Sequence, residues 1–170
     1  MEPKATPARV RPAKPQDAPR ILELVRELAA YEREPDAVEA SLDDVRTALF
    51  GPQPRVHCLV AELDEPHGPV VAGMALWFVT FSTWRGRHGL WLEDLFVSPS
   101  YRREGVGRAL LAQLAGICRD RGYARLEWQV LDWNVAAQDF YASLGAAPQD
   151  GWTVWRVDRD ALARLAGDTP

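Results

Sequence analysis

Between Leu92 and Leu111 the chain reads LEDLFVSPSYRREGVGRALL, and three kinds of residue capable of chemistry fall inside it. Glu93 and Asp94 are adjacent carboxylates in an apolar run, where an ionised acid is costly to hold without partners. Gly105 and Gly107 permit left-handed backbone and close approach of another group. Arg102, Arg103 and Arg108 add positive charge on either side. An apolar-periodic segment follows immediately, so the glycines sit where a helix begins and its first N–H groups have no intrahelical partner. That arrangement can receive phosphate oxygens. The alternative is a helix start that is merely glycine-rich.

Two common phosphate sites are excluded by spacing. A Walker loop needs G-x-x-x-x-G-K-S/T, which is absent, and a dinucleotide fingerprint needs a third glycine where Leu110 stands. Two glycines with three arginines favour a pyrophosphate, and so short a loop suits coenzyme A better than an adenine dinucleotide.

The elements that must position these residues can be read from the change of hydrophobic period. Residues 8–12 suit a first strand. A helix runs from about Asp17 to Tyr31, carried by Ile21, Leu22, Leu24, Val25 and Leu28, and a shorter one contains Leu42, Val45, Leu49 and Phe50. Strands are expected over 56–63, 70–81 and 90–97, the first two joined by a DEPHGP hairpin loop. A helix over Gly105–Arg121 ends at Gly122, a strand covers 125–131, and a helix begins near Asn134 and stops at Gly145. Trp152–Val157 reads as a last strand, followed by a short helical tail. The order predicts an α/β fold, with a mixed, mostly antiparallel twisted sheet and helices on both faces.

A chain of 170 residues, 47% hydrophobic and 26% charged, fits one globular domain over 8–170, preceded by a loose segment at 1–7. The net charge of −4 without a basic block argues against nucleic acid and mildly favours cationic or neutral small partners. Cys58 and Cys118 lie far apart without metal-ligand spacing, so buried free thiols, no metal and a reducing cytoplasm are expected. No apolar stretch reaches 18 residues and the N-terminus lacks a signal-peptide core, which predicts no membrane partner.

The run R-R-E-G-V-G at 102–107 resembles the R/Q-x-x-G-x-G/A motif of GNAT-type N-acetyltransferases. The similarity extends over roughly residues 8–158 and is nearest the diamine and thialysine branch. It is carried by HCLVAE at 57–62, STWRGR at 82–87, LEDLFV at 92–97, VLDWN at 130–134, FYASLGA at 140–146 and DGW at 150–152. The resemblance implies the GNAT fold, acetyl-CoA as cofactor and a homodimer. It assigns the cofactor the backbone of Leu95, Phe96 and Val97 for the pantetheine arm. The turn of Arg102, Arg103, Glu104, Gly105, Val106, Gly107 and Arg108 falls to the pyrophosphate, and Asn134, Val135, Ala136 and Ala137 lie beside the tail. Asn134 also suits a plain helix cap.

For catalysis the resemblance makes Glu93 the base for the amine proton, through a water, and Tyr141 the general acid to the departing thiolate, facing the coenzyme sulfur. Simple strand alternation puts Glu93 and Asp94 on opposite faces, so at most one points into a given cleft; Asp94 is then structural or a secondary amine-site residue. From residues alone, one of Phe140 and Tyr141 packs and the other can expose its edge.

For the amine, the resemblance points to Tyr31 and Glu32, to Glu127, Trp128 and Gln129, and to Asp150 and Trp152. Trp84, with Trp77, Trp91 and Trp133, could supply part of a cation-binding wall. Ser82 stands where polyamine-acetylating members tend to carry an acid, which favours a thialysine- or lysine-like amine over spermidine or spermine. A polyamine acetyltransferase, a coenzyme A-binding domain without catalysis and a peptide N-acetyltransferase are the competing readings.

Overall fold

Short apolar and β-branched runs form five strands: β1 (Arg9–Pro12), β2 (His57–Glu65), β3 (Gly68–Ser82), β4 (Arg87–Val97) and β5 (Leu126–Trp128). Helical spacing gives α1 (Ala18–Tyr31), α2 (Leu42–Phe50), α3 (Val106–Arg121), α4 (Val135–Ala142) and α5 (Arg159–Ala166). This computed structural model describes residues 8–167, so the expected loose segment at 1–7 lies outside the described residues. Contacts gather into two units, 1–129 and 130–170. All five strands belong to the first.

The sheet order is β1-β2-β3-β4-β5, with the first four strands antiparallel and β5 parallel to β4. It is the mixed, mostly antiparallel sheet of an α/β fold. On one face Ile21 and Leu24 of α1 and Leu49 of α2 pack with Cys58, Val60, Met74 and Phe96 from three adjacent strands. The opposite face takes α3, whose Val106, Leu110, Leu111 and Leu114 are buried. Arg11 fastens the sheet edge: it makes a two-pronged ion pair with Asp17 (2.7 and 2.9 Å) ahead of α1 and also bonds Glu62 on β2. Ser41 caps α2 through a reciprocal pair with Asp44, and Gly122, at φ 65°, closes α3 in the left-handed conformation. Cys58 and Cys118 are buried free thiols. No helix among the described residues is long and apolar enough to cross a membrane.

Three expected elements differ. The β2–β3 hairpin is tighter than DEPHGP, because Asp64↔Pro69 and Glu65↔Gly68 pair and leave a two-residue turn, Pro66 and His67. The strand expected over 125–131 pairs only at Leu126–Trp128. Trp152–Val157 is not a strand: it joins no ladder of the five-stranded sheet, and Trp152, Val154, Trp155 and Val157 are exposed. Aromatic and β-branched content gives strand propensity, but a strand also needs a partner to pack and bond against.

Gly73 leaves no room for a side chain between β4 and the start of α3. A Cβ there would lie 2.8 Å from the Phe96 carbonyl oxygen and 3.3 Å from Val106 Cγ1. Gly73→Ala should therefore destabilise the fold by about 1–3 kcal/mol in chemical denaturation; an unchanged midpoint would show that β4 and the start of α3 are not packed this tightly against Gly73.

Candidate active site

Strand register brings the two acids together. β4 pairs with β3 at Leu92↔Trp77 and next at Asp94↔Leu76, so Glu93 is an extra residue in the ladder, a β-bulge. The bulge breaks alternation. Trp91 is opposite Phe78 and Asp94 opposite Leu76, two β3 residues on one face. That face is the α1–α2 side, because Leu76 packs against its apolar cluster. Trp91 Nε1 donates to Glu93 Oε2 at 2.9 Å, which holds Glu93 on the Trp91 face. The expectation of opposite faces for Glu93 and Asp94 is thus overturned: both belong to one side of the sheet. Glu127 joins them, as the in-register partner of Trp91 on β5, where it accepts an ion pair from Arg125 Nε at 2.6 Å.

The same place opens the sheet. β5 follows β4 only as far as Leu92↔Trp128. From Glu93 to Val97, β4 has β3 on one side and no strand on the other among the described residues. That leaves an edge of about 17 Å at the usual rise per residue, offering N–H and C=O groups to an extended ligand.

The edge runs into the arginine-glycine turn. A single 3₁₀ turn, Pro99–Tyr101, leads to Arg103 at φ 68° and Gly105 at φ 80°, and α3 starts at Val106. The first helical bond is Ala109 N–H to the Gly105 carbonyl (2.9 Å), so the N–H groups of Val106, Gly107 and Arg108 lie before the helical ladder. Left-handed residues within this turn curl its amides into a concavity suited to an anion. A Cβ on Gly105 would meet nothing within 4 Å, so the glycine serves the backbone angle and the space above it is open. These donors, with exposed Arg103 and Arg108, fit a pyrophosphate; Glu104, also exposed, adds one opposing charge. Arg102 behaves differently. Its Nε donates to the Val97 carbonyl at 3.1 Å, and its guanidinium carbon lies 4.7 Å from the Tyr31 ring centroid and 5.5 Å from that of Phe96.

Of the remaining predicted residues, Tyr31 closes α1 and Glu32 caps it. Ser82 is 8% exposed, and its Oγ accepts the Arg85 N–H at 3.3 Å inside the β3–β4 turn, whereas Trp84 is 89% exposed. Trp128 is half-buried on β5 and Gln129 follows it. In the second unit Asn134 caps α4, its side chain accepting the Ala137 N–H at 3.3 Å, and Val135 and Ala136 begin that helix. Tyr141 is half-buried on α4, its ring 5.4 Å from that of Phe140. Asp150 and Trp152 are exposed in the same unit. Among the described residues no group of three or more His, Cys, Asp or Glu is arranged to hold a metal ion.

A strand edge beside a bulge, running into a left-handed glycine turn at a helix start, agrees with what sequence comparison finds: the Acetyltransferase (GNAT) family matches residues 19–146. The chain belongs to the GNAT acetyltransferase family. It is 42% identical to the thialysine N-epsilon-acetyltransferase of Bos taurus over 165 residues, 93% of this chain and 96% of that one. It is also 34% identical to a human spermidine/spermine N(1)-acetyltransferase-like protein 1, covering 92% of this chain but 23% of that protein. A solved integron cassette protein from the mobile metagenome of V. cholerae superposes with a TM-score of 0.76 at 26% identity, over 95% of this chain and 98% of the other.

As a GNAT N-acetyltransferase acting on small-molecule amines, the chain sets two further residues beside the acids: Trp91, expected only as part of an aromatic wall, and Arg125, which the sequence did not single out. Trp91 orients Glu93, and Arg125 pairs with Glu127. Their signal was present as Trp-x-Glu and Arg-x-Glu, residues two apart on one strand face.

Burial, and after it the charges of Glu93 and Glu32, pushes the Asp94 carboxyl up to about 6 from its ordinary 3.8; burial also raises Glu32. A carboxyl raised by folding holds its proton more tightly in the folded state. Its contribution to stability is complete below the unfolded value and lost as pH rises through about 6. Asp94→Asn keeps the shape without the titration. Relative to wild type, the variant should gain on the order of 2–3 kcal/mol of stability between pH 4 and pH 8. A difference that does not change with pH would contradict this environment for Asp94.

Proposed function

We propose that this enzyme transfers acetyl from acetyl-CoA to the side-chain amine of a thialysine- or lysine-like amino acid. The observation that carries the reading is the bulge at Glu93, which sets carboxylates beside a free strand edge. Acetyl-CoA, when bound, supplies an acetyl thioester open to direct attack by a neutral amine. In this reading the edge from Leu95 to Val97 holds the pantetheine arm, and the amides and arginines of the 103–108 turn hold the pyrophosphate.

An alkyl ammonium with a pKa near 10.4 is neutral roughly once in 2,500 molecules at pH 7, so deprotonation costs about 4–5 kcal/mol. Glu93 takes that proton through a water, its carboxylate oriented by the Trp91 indole. Tyr141 Oη donates a proton to the departing sulfur; this role, like those of Asn134–Ala137, Asp150 and Trp152, rests on the motif match. The family match runs across residue 130, which supports reading both units as one acetyltransferase domain. Tyr31, Glu32, Asp94 and Glu127 face the distal end of the amine substrate as its anionic and aromatic wall.

Ser82 supports the amino-acid amine: it offers no carboxylate for a second ammonium. A second reading, a diamine or polyamine, draws on the number of acids around the bulge, more than one ammonium requires. Free buried thiols are consistent with a cytoplasmic protein, and the exposed apolar side chains of Trp152, Val154 and Trp155 support a homodimer.

Turnover of thialysine, lysine and spermidine with acetyl-CoA separates the readings. Thialysine should exceed spermidine by about tenfold in kcat/KM, the worth of one well-placed ionic contact; the reverse ranking would establish the polyamine reading instead. Glu93→Gln and Tyr141→Phe should each lower kcat by about a hundredfold while coenzyme A binding persists. Coenzyme A binding without transfer to any amine would leave a binding domain only.

A further inference from the structure

The guanidinium of Arg102 is the best-anchored cation of the turn, and it is anchored away from the helix start. Its Nε is committed to the Val97 carbonyl and its guanidinium carbon lies over the Tyr31 and Phe96 rings. Tyr31 is the last residue of α1, and Glu32 follows directly, with its charge felt by Asp94. One helical turn earlier on α1, Glu27 Oε2 accepts the Ser98 hydroxyl at 2.7 Å. Glu27 and Tyr31 are four residues apart and so share a helix face. Their partners Ser98 and Arg102 are also four apart and flank the 3₁₀ turn that leads into the glycine loop. Ser98 is itself tied to β3 by its N–H to the Ala72 carbonyl at 2.9 Å, and Arg20 ties Glu27 (2.8 Å) to the Val71 carbonyl (3.2 Å). Two fasteners therefore join the end of α1 to the start of the anion-binding turn.

We propose that Arg102 is a positioning residue that couples the cofactor turn to the amine wall, its contact with Tyr31 fixing Tyr31 and Glu32 when the turn is occupied. The inference rests on the acetyl-transfer reading for its consequence but not for its geometry. A lysine keeps the charge and loses the Nε donor that ties the guanidinium to the Val97 carbonyl beside Tyr31, which separates this role from that of a phosphate ligand.

Two measurements test it, both on the full chain. Amide hydrogen exchange over residues 29–34, with and without saturating coenzyme A, should slow about threefold or more in wild type and stay unchanged in Arg102→Gln. In steady state, Arg102→Gln, which removes the cation from the Tyr31 ring, and Arg102→Lys, which removes the Nε anchor to Val97, should both raise the amine KM about tenfold, with acetyl-CoA KM moving less than about threefold. Equal cofactor-induced protection in wild type and variant would overturn the proposal. So would a rise in acetyl-CoA KM that Arg102→Lys rescues while amine KM stays put. If Arg102→Gln does not fold, Arg102→Lys carries both measurements. Exchange needs no acetyl transfer, so slowed exchange without turnover would defeat the proposed reaction and leave the coupling intact; turnover without slowed exchange would do the opposite.

Discussion

One extra residue in one strand sets the arrangement of the candidate site. β4 enters the sheet between β3 and β5 with its even-numbered residues Leu90 and Leu92 directed to the α3 side. After Glu93 it continues with Asp94 and Phe96 directed to the α1–α2 side. A ladder bond is lost at the bulge and two carboxylates are brought to one face, an arrangement that costs free energy. The cost is visible in Asp94, whose proton is held up to about 6. What offsets it is the rigidity around it. Nine paired positions tie β2 to β3, Ile21, Leu24 and Phe96 are buried behind it, and the Trp91 indole holds Glu93.

The bulge also explains why the sheet parts where it does. β5 is in register with β4 up to Leu92, one residue before the bulge, and no further. The backbone groups released there form a track that ends at the Ser98–Gly105 turn. An extended ligand with amides along its length and phosphates at its far end matches that order of features. Acid face, free edge and anion turn follow one another along about fifteen residues of chain, so the strand and the loop after it carry most of the site in the first unit.

Most of the architecture is legible in the sequence because its signals are local. The glycine-arginine turn, the Asn134 cap, the Gly122 stop and the helical stripe of α1 each depend on neighbours a few residues away. The bulge is not local: it exists only in the register between two strands, and alternation applied to Glu93 and Asp94 gives the wrong faces. Arg102 is a similar case. Its type and place in an anion motif suggest a phosphate contact, but aromatic faces from α1 and β4 capture its side chain. Trp152–Val157 has the composition of a strand but joins no ladder of the sheet. Ser82, singled out for what it lacks, is buried in a turn with its hydroxyl bonded to the backbone.

In the proposed reaction the Glu93 bulge both opens the β4 edge and faces the acids toward the amine. A crystal structure with a bisubstrate analogue, coenzyme A joined through its acetyl group to the lysine side-chain nitrogen, tests it most directly. The pantetheine amides should bond to the β4 backbone between Asp94 and Val97, and the joined nitrogen should lie on the Glu93 face within reach of its carboxylate through one water. A ligand bound away from that edge, or a nitrogen on the α3 side of the sheet, would contradict it.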